Sequence, residues 1–288
     1  MKKKIPKTQE FLPTIGLGTW QTMDILEKSS EFSKIKDVWK EFINSGGGLV
    51  DSSPMYGKAE KIVGKLIDQT ENKSNIFTAT KVWTRGKEAG IQQIESSFQK
   101  FGTKVIDLFQ IHNLLDTDIH IHTLQKLKDQ GRIRYIGLTH YTSSAYHDME
   151  KACLKHKPDF IQIPYSVTSR KAEERILPFA HDNQIAVLVN RPFEEGNLFS
   201  STKDKTIPVY FKQWNCESFA QIFLKYIISH PAVTTAIPAT SKIQHLIDNL
   251  AAGFEPIPQG KERVEFMKNT LECLNLKSTL LLVLVLIF

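Results

Sequence analysis

Cysteine is scarce in this chain, and its placement argues against two classes of small protein. The 288 residues contain three cysteines, Cys153, Cys216 and Cys273. They are odd in number, far apart and outside any CxxC pattern, so neither a disulfide framework nor a zinc knuckle is predicted. So few unpaired thiols favour a reducing compartment, and we expect a cytoplasmic protein.

Apart from Lys2, Lys3 and Lys4 the chain has no run of like charge, and its N-terminus does not match the pattern of a targeting signal. Lys2, Lys3 and Lys4 are followed by Pro6 and Lys7 rather than by an apolar stretch, so no signal peptide is predicted. The net charge is +6, but the basic residues are spread along the chain, which argues against nucleic-acid binding. The apolar run 280–288 would rise only about 13 Å as a helix, too short to span a bilayer. Its role and the oligomeric state stay open.

What the chain does contain is a regular alternation of short apolar runs with longer amphipathic ones, typical of strands and helices in turn. Its 41% hydrophobic and 24% charged residues are those of a folded globular protein. The predicted strands cover residues 15–20, 49–51, 76–81, 105–111, 133–138, 159–163, 185–189 and 234–237. The predicted helices cover residues 30–44, 58–67, 87–101, 119–130, 143–156, 172–182, 216–229 and 243–252.

Eight strand-helix units in succession favour parallel pairing, because parallel strands need a crossover connection. In fewer than 300 residues they predict one α/β domain, a (β/α)8 TIM barrel. An open doubly wound sheet would carry a GxGxxG turn after its first strand. Here Gly16 and Gly18 lie inside the strand and do not continue as that fingerprint. We expect the barrel over residues 11–256, followed by a C-terminal helix and apolar tail over 257–288.

Polar residues end the predicted strands, where a barrel places its catalytic groups. In chain order they are Thr19 with Trp20, Asp51, Lys81, His112, Thr139 with His140, Gln162, Asn190 and Thr240. A lone charge at such a position often only meets solvent. Ionisable residues on the second, third and fourth strands together predict one polar site at the barrel mouth.

Tyr56 adds a fourth member to this site, because Pro54 and Gly57 predict a turn that folds it back over the mouth. A free phenol has a pKa near 10, and a neighbouring ammonium lowers it. We therefore expect Lys81 to lower the pKa of Tyr56 and Asp51 to hold Lys81. His112 would hydrogen-bond a substrate oxygen.

At these residues the chain resembles the aldo-keto reductase family. The resemblance runs in family order over roughly residues 11–255 and is carried by the segments IGLGTW (15–20), VDSSPMYGKAE (50–60), ATK (79–81), IDLFQIHN (106–113), GRIRYIGLT (131–139) and IPATSK (237–242). It implies the catalytic set Asp51, Tyr56, Lys81 and His112. The implied reaction is hydride transfer from a nicotinamide to a small aldehyde or ketone, with Tyr56 as general acid.

The resemblance also implies where the cofactor binds. Thr139, His140 and Gln162 would hold the nicotinamide amide, while Asn190 replaces an aromatic residue and Arg191 would contact the pyrophosphate. The remaining implied contacts come from the ends of the first and second strands and from the segment after the eighth strand: Gly18, Thr19, Trp20, Asp51, Thr240, Ser241, Lys242, His245, Asp248 and Asn249. His245 stands where many members carry arginine on the 2′-phosphate, and Lys242 would supply the fixed charge. These residues favour NADP(H) over NAD(H).

Two alternatives stay open from the sequence. One is a regulatory protein that binds the nicotinamide but turns over slowly. The other is a metal-dependent hydrolase using Asp51 and His112. The sequence has no second histidine or carboxylate at a neighbouring strand end to complete such a site, so no metal site is predicted. Candidate walls of the substrate pocket are Trp20, Trp83, Phe193 and Trp214.

Overall fold

A parallel eight-stranded sheet forms the centre of the molecule, as seen in a computed structural model that describes residues 1–276. Neighbours in the sheet follow chain order, so each crossover connects adjacent strands. The strands are β3 (Leu17–Gly18), β4 (Leu49–Asp51), β5 (Phe77–Val82), β6 (Ile106–His112), β7 (Ile133–Thr139), β8 (Phe160–Pro164), β9 (Ala186–Asn190) and β10 (Val233–Ala236). The (β/α)8 barrel predicted from the sequence is confirmed.

Two glycines bring the first barrel strand against the last. The amide of Gly16 donates to the carbonyl of Ala236 over 2.8 Å, and that of Gly18 donates to Pro238 over 3.1 Å. A Cβ atom at Gly18 would lie only 2.7 Å from the carbonyl oxygen of Ile237. Any side chain here would push β3 away from β10, so glycine is what allows the barrel to close.

Helices surround the sheet and bury their apolar faces against it. In chain order they are α1 (Ser30–Asn44), α2 (Ala59–Asp68), α3 (Lys87–Phe101), α4 (Thr117–Asp129), α5 (Tyr146–His156), α6 (Ile176–Asp182), α7 (Phe219–Ile228), α8 (Ile243–Ala251) and α9 (Gly260–Cys273). In α1, for example, Ile35, Val38 and Phe42 are fully buried, at the three- and four-residue spacing of one helix face.

The barrel interior divides into an apolar half and a polar half. Phe77, Tyr135 and Phe160 pack ring against ring, with centroids 5.3 to 6.1 Å apart, near the beginnings of their strands. Towards the strand ends the inward side chains become polar. The apolar half fills the base and leaves the carboxyl ends of the strands for chemistry.

Some predicted boundaries were wrong. The first strand is shorter than 15–20, because the chain turns at Thr19, whose carbonyl accepts from the amides of Thr22 and Met23. The helix predicted over 143–156 opens with a 3-10 turn before α5, and the one over 172–182 is broken at Arg175, where φ is −150°. The helix predicted over 216–229 begins later, at Phe219, because the Ser218 side chain caps it.

An N-terminal hairpin that the sequence did not predict covers the base of the barrel. It pairs β1 (Lys2–Lys4) with β2 (Phe11–Pro13) antiparallel. The Lys3 ammonium donates to the carbonyls of Ile228, His230 and Val233 over 2.6 to 2.9 Å, which ties the hairpin to the start of β10. Within residues 1–276, no helix is long and apolar enough to cross a membrane. The apolar run 280–288 lies outside the described residues.

Candidate active site

Three ionisable side chains come together at neighbouring strand ends, as the sequence predicted. Asp51 is the last residue of β4, Lys81 the last but one of β5, and His112 the last of β6. Counted over the whole residue, Asp51, Lys81 and His112 are 2%, 0% and 5% exposed. A buried charge is costly unless it is paired, so this cluster requires internal partners.

Asp51 and Lys81 provide those partners for each other. The Lys81 ammonium donates to Asp51 Oδ2 over 2.6 Å and to the carbonyl of Ser52 over 2.7 Å. The second carboxylate oxygen, Oδ1, accepts from the side-chain amides of Gln110 and Gln162, each over 2.9 Å. Both carboxylate oxygens are therefore satisfied, and the position of the ammonium is fixed.

Tyr56 lies against this ion pair, on a tight turn between β4 and α2. The Tyr56 amide donates to the carbonyl of Ser53 over 3.0 Å, and Gly57 follows in the left-handed region with φ of 60°. A Cβ atom at Gly57 would also meet the Asp24 carboxylate at 2.3 Å. The Lys81 Nζ lies 5.0 Å from the centre of the Tyr56 ring, which places the ammonium beside the phenol.

The acidity of Tyr56 differs from the expectation. Burial of the hydroxyl raises its pKa above the usual value of 10, and Asp51 adds to the rise, while Lys81 acts to lower it. Burial has the larger effect, so the net shift is upward and the predicted net lowering was wrong. Lys81 nevertheless acts in the expected direction. The phenol thus keeps its proton at neutral pH, as a proton donor must.

His112 is held as a neutral imidazole beside Tyr56. Burial, together with the positive charges of Lys81 and His140, lowers its pKa to about 3. Its Nδ1 lies 3.3 Å from the hydroxyl of Ser53, and its ring meets that of Tyr56 edge-on at 6.3 Å. A neutral imidazole can donate one hydrogen bond to a substrate oxygen without bringing in a charge.

The predicted nicotinamide contacts meet at the ends of β7, β8 and β9. Thr139 donates to Gln162 Oε1 over 3.2 Å, and the Asn190 amide donates to the carbonyl of His140, also over 3.2 Å. Asn190 Oδ1 is buried and has no hydrogen-bond partner among the described residues. A buried acceptor without a partner is costly, so this oxygen suits a donor from a bound molecule, such as a carboxamide group. The residues present fit a nicotinamide.

His140 and Arg191 are already engaged with protein groups. His140 Nδ1 accepts from the Thr142 amide over 3.1 Å, and its ring stacks on Tyr141 with centroids 5.4 Å apart. The Arg191 guanidinium donates to Glu195 over 2.5 Å and to the Tyr141 carbonyl over 3.3 Å. A pyrophosphate contact from Arg191 would thus compete with Glu195.

The remaining predicted cofactor contacts lie around β3 and at the start of α8. Thr19 donates to the Asp51 carbonyl over 3.0 Å, joining β3 to the site, and Gly18 closes the barrel. Thr240 is buried and accepts from the Lys242 amide over 3.1 Å. At α8, Asp248 accepts from Gln221 of α7 over 2.7 Å and Asn249 is buried. Near the start of α8, Ser241, Lys242 and His245 are exposed to solvent.

Of the aromatic residues proposed as pocket walls, Trp83 lies beside a member of the catalytic cluster, His112. It is 40% exposed, and its ring centre lies 6.3 Å from that of His112. Trp20 is 39% exposed just past β3. Trp214, by contrast, is buried and packs edge-on against Phe266 of α9. Phe193 packs against Phe199.

Three polar residues of the cluster were missed by sequence reasoning: Ser52, Ser53 and Gln110. A signal for Gln110 was present. It precedes His112 by two residues, and strand side chains alternate, so the two share the inward face. Ser52 and Ser53 directly follow Asp51. Only the fold shows that Ser52 contacts Lys81 and that Ser53 contacts His112. Within residues 1–276, no group of three or more His, Cys, Asp or Glu side chains is arranged to hold a metal ion.

Comparisons with known proteins identify the family of the chain. The model of the Aldo/keto reductase family matches residues 14–261. The methylglyoxal reductase YeaE of Escherichia coli is 27% identical over 83% of this chain and 85% of its own. The aldo-keto reductase YhdN of Bacillus subtilis is 28% identical over 61% of this chain, a match that spans 56% of YhdN.

A solved structure shares the fold. The aldo/keto reductase from Klebsiella pneumoniae, crystallised with NADP and acetate, superimposes with a TM-score of 0.77. The two chains are 22% identical, with 93% of this chain and 95% of that one covered.

Proposed function

The chain belongs to the Aldo/keto reductase family, and we propose that it uses NADP(H) to reduce aldehydes or ketones to alcohols, with Tyr56 as the general acid. One observation carries this proposal. The Lys81 ammonium, held 2.6 Å from Asp51, lies 5.0 Å from the centre of the Tyr56 ring and acts to lower the pKa of Tyr56. A phenol beside a buried ammonium can give up its proton and leave a stabilised phenolate.

Each side chain has a distinct task in this mechanism. The nicotinamide supplies the hydride when it is bound. As the carbonyl oxygen gains negative charge, the neutral His112 donates a hydrogen bond to it, and the Tyr56 proton moves onto it. The O–H bond of Tyr56 breaks while that of the product alcohol forms. Lys81 stabilises the resulting phenolate, and Asp51 balances the charge of Lys81.

The cofactor would be held at two places. Gln162 and Asn190 would contact the nicotinamide amide, and the unpaired Asn190 oxygen supports that contact. At the other end, Lys242 and His245 are exposed at the start of α8, where the helix N-terminus favours a phosphate. The fixed charge of Lys242 favours NADP(H) over NAD(H). The relative crystallised with NADP supports the same choice.

Carbonyl-dependent oxidation of NADPH is the direct test. The purified chain is incubated with NADPH and a panel of aldehydes and ketones that includes methylglyoxal, in the presence and absence of EDTA. We expect turnover that needs both NADPH and carbonyl, is insensitive to EDTA and yields the alcohol. NADPH binding without turnover would favour the regulatory alternative. Hydrolysis without NADPH that EDTA abolishes would favour the metal-dependent one.

A further inference from the structure

Gln110 occupies a central place in the barrel interior that the proposed mechanism does not yet use. It is fully buried on β6, two residues before His112. In the sheet register it lies between Lys81 of β5 and Gly137 of β7. A Cβ atom at Gly137 would lie 2.9 Å from Cγ of Gln110. The missing side chain at Gly137 therefore provides the space that Gln110 fills.

Both ends of the Gln110 amide are hydrogen-bonded within the site. Nε2 donates to Asp51 Oδ1 over 2.9 Å, and Oε1 accepts from Gln162 Nε2 over 3.2 Å. A fully buried amide with both groups satisfied has one favoured orientation. Gln110 thereby presents a fixed donor to the carboxylate oxygen that does not face Lys81.

Gln162 donates to the same Asp51 oxygen but has a second set of contacts. Its Oε1 accepts from Thr139, and its amide lies beside Asn190, on the side to which the proposed function assigns the nicotinamide. A bound carboxamide would compete with Asp51 for Gln162. Gln162 and His112 are both aligned with Thr139 of β7, whereas Gln110 is aligned with Gly137, two residues deeper. Gln110 therefore lies below the layer that would contact the cofactor.

We propose that Gln110 is a positioning residue, which keeps Asp51 directed at Lys81 while Gln162 engages the cofactor. This role of Gln110 rests on the proposed function, which assigns Gln162 to the nicotinamide. If Gln162 turned away, Gln110 would hold Oδ1 alone, and Oδ2 would stay on the ammonium that serves Tyr56. Without Gln110, the carboxylate would have no second donor once the cofactor is bound.

The test replaces Gln110 by methionine, an unbranched side chain that can fill the space at Gly137 without donating a hydrogen bond. We expect kcat to fall about tenfold, the loss expected from removing one hydrogen bond to a charged group. The Kd for NADPH, measured by fluorescence titration, should change less than twofold. A hydrogen-bond donor favours the ionised form of a carboxylate, so the acidic limb of the kcat profile should move to higher pH in this variant.

Thr235→Val is the matched control, because Thr235 is equally buried in the barrel and donates to the carbonyl of Pro13 at the base, away from Asp51. It should leave the pH profile unchanged. If Gln110→Met does not fold, Gln110→Glu provides the test of the positioning role. A glutamic acid can donate to Asp51 only while protonated, so its kcat should fall as pH rises through the titration of that carboxyl.

The outcomes separate this inference from the proposed function. If Gln110→Met matches Thr235→Val in kcat and in pH profile, or Gln110→Glu keeps the wild-type profile, the positioning role is wrong. Tyr56→Phe is measured in parallel. Loss of turnover in Tyr56→Phe with unchanged Gln110 variants would overturn this inference alone, whereas full turnover in Tyr56→Phe would overturn the proposed function itself.

Discussion

The Nζ of Lys81 lies 2.6 Å from Oδ2 of Asp51, and the two side chains are 0% and 3% exposed. Such a pair is enclosed in the protein, where desolvation opposes the attraction between the charges. Burial alone would lower the pKa of Lys81, but Asp51 and Tyr56 together raise it. The lysine therefore stays charged, which is the state that the proposed chemistry of Tyr56 needs.

Breaking this pair from one side should damage both stability and turnover. Lys81→Met leaves the Asp51 carboxylate buried without its ammonium, and we expect a loss of about 3–5 kcal/mol in the free energy of unfolding. Urea unfolding measures this loss. Turnover should fall in the same variant, because Tyr56 loses the charge that stabilises its phenolate.

The double variant Asp51→Asn with Lys81→Met separates the two effects. Removing both charges should restore part of the lost stability, since no ion remains unpaired. Turnover should stay low, because the ammonium is still absent. Recovery of turnover together with stability would mean that the ion pair serves only folding.

The neutral state of His112 predicts a pH-dependent stability. Its pKa is about 3 in the folded chain, below the ordinary value of 6.5. Between these two values the unfolded chain binds a proton that the folded chain does not. The contribution of neutral His112 to the free energy of unfolding is therefore fully present above pH 6.5. It is lost as the pH falls towards 3, at about 1.4 kcal/mol per pH unit.

His112→Gln should remove the His112 contribution to the change of the free energy of unfolding with pH. Urea unfolding at pH 5.5 and 4.5 measures that change. His147→Gln, on the exposed side of α5, is the matched control and should keep the wild-type slope. An unchanged slope in His112→Gln would mean that His112 is not held neutral by its surroundings.

Lys242 should discriminate between the two nicotinamide cofactors. If its charge contacts the 2′-phosphate, Lys242→Gln should raise the Kd for NADPH about tenfold and leave the Kd for NADH within twofold. The difference should shrink at high salt, because exposed charges are screened. Lys261→Gln, an equal change of charge on the exposed side of α9, should alter neither constant. Equal weakening of both cofactors by Lys242→Gln would place the contact elsewhere than the 2′-phosphate.

The positions of Asp51, Lys81 and His112 could be predicted from the sequence because they depend on a simple rule. In a barrel all strand ends meet at one rim, so residues at successive strand ends must come together. The rule needs no side-chain detail. From this rule the proximity of Asp51 and Lys81 could be predicted, although the two residues are far apart in the chain.

The net acidity of Tyr56 could not be predicted in the same way. It depends on a balance between burial, which raises the pKa, and Lys81, which lowers it. The sequence identified the lysine but not the depth of the hydroxyl. Similarly, strand alternation places Gln110 on the inward face but does not predict its hydrogen bond to Asp51. That contact depends on the space left by the missing side chain at Gly137.

Tyr56→Phe tests the central claim most directly, because it removes one oxygen and leaves the ring in place. We expect the Kd for NADPH to stay within twofold while kcat for carbonyl reduction falls by about 10²–10⁴, the usual contribution of a general acid. Fluorescence titration and steady-state NADPH oxidation with a good aldehyde provide the two values. Turnover within a factor of two of the wild type would contradict the assignment of Tyr56 as the proton donor.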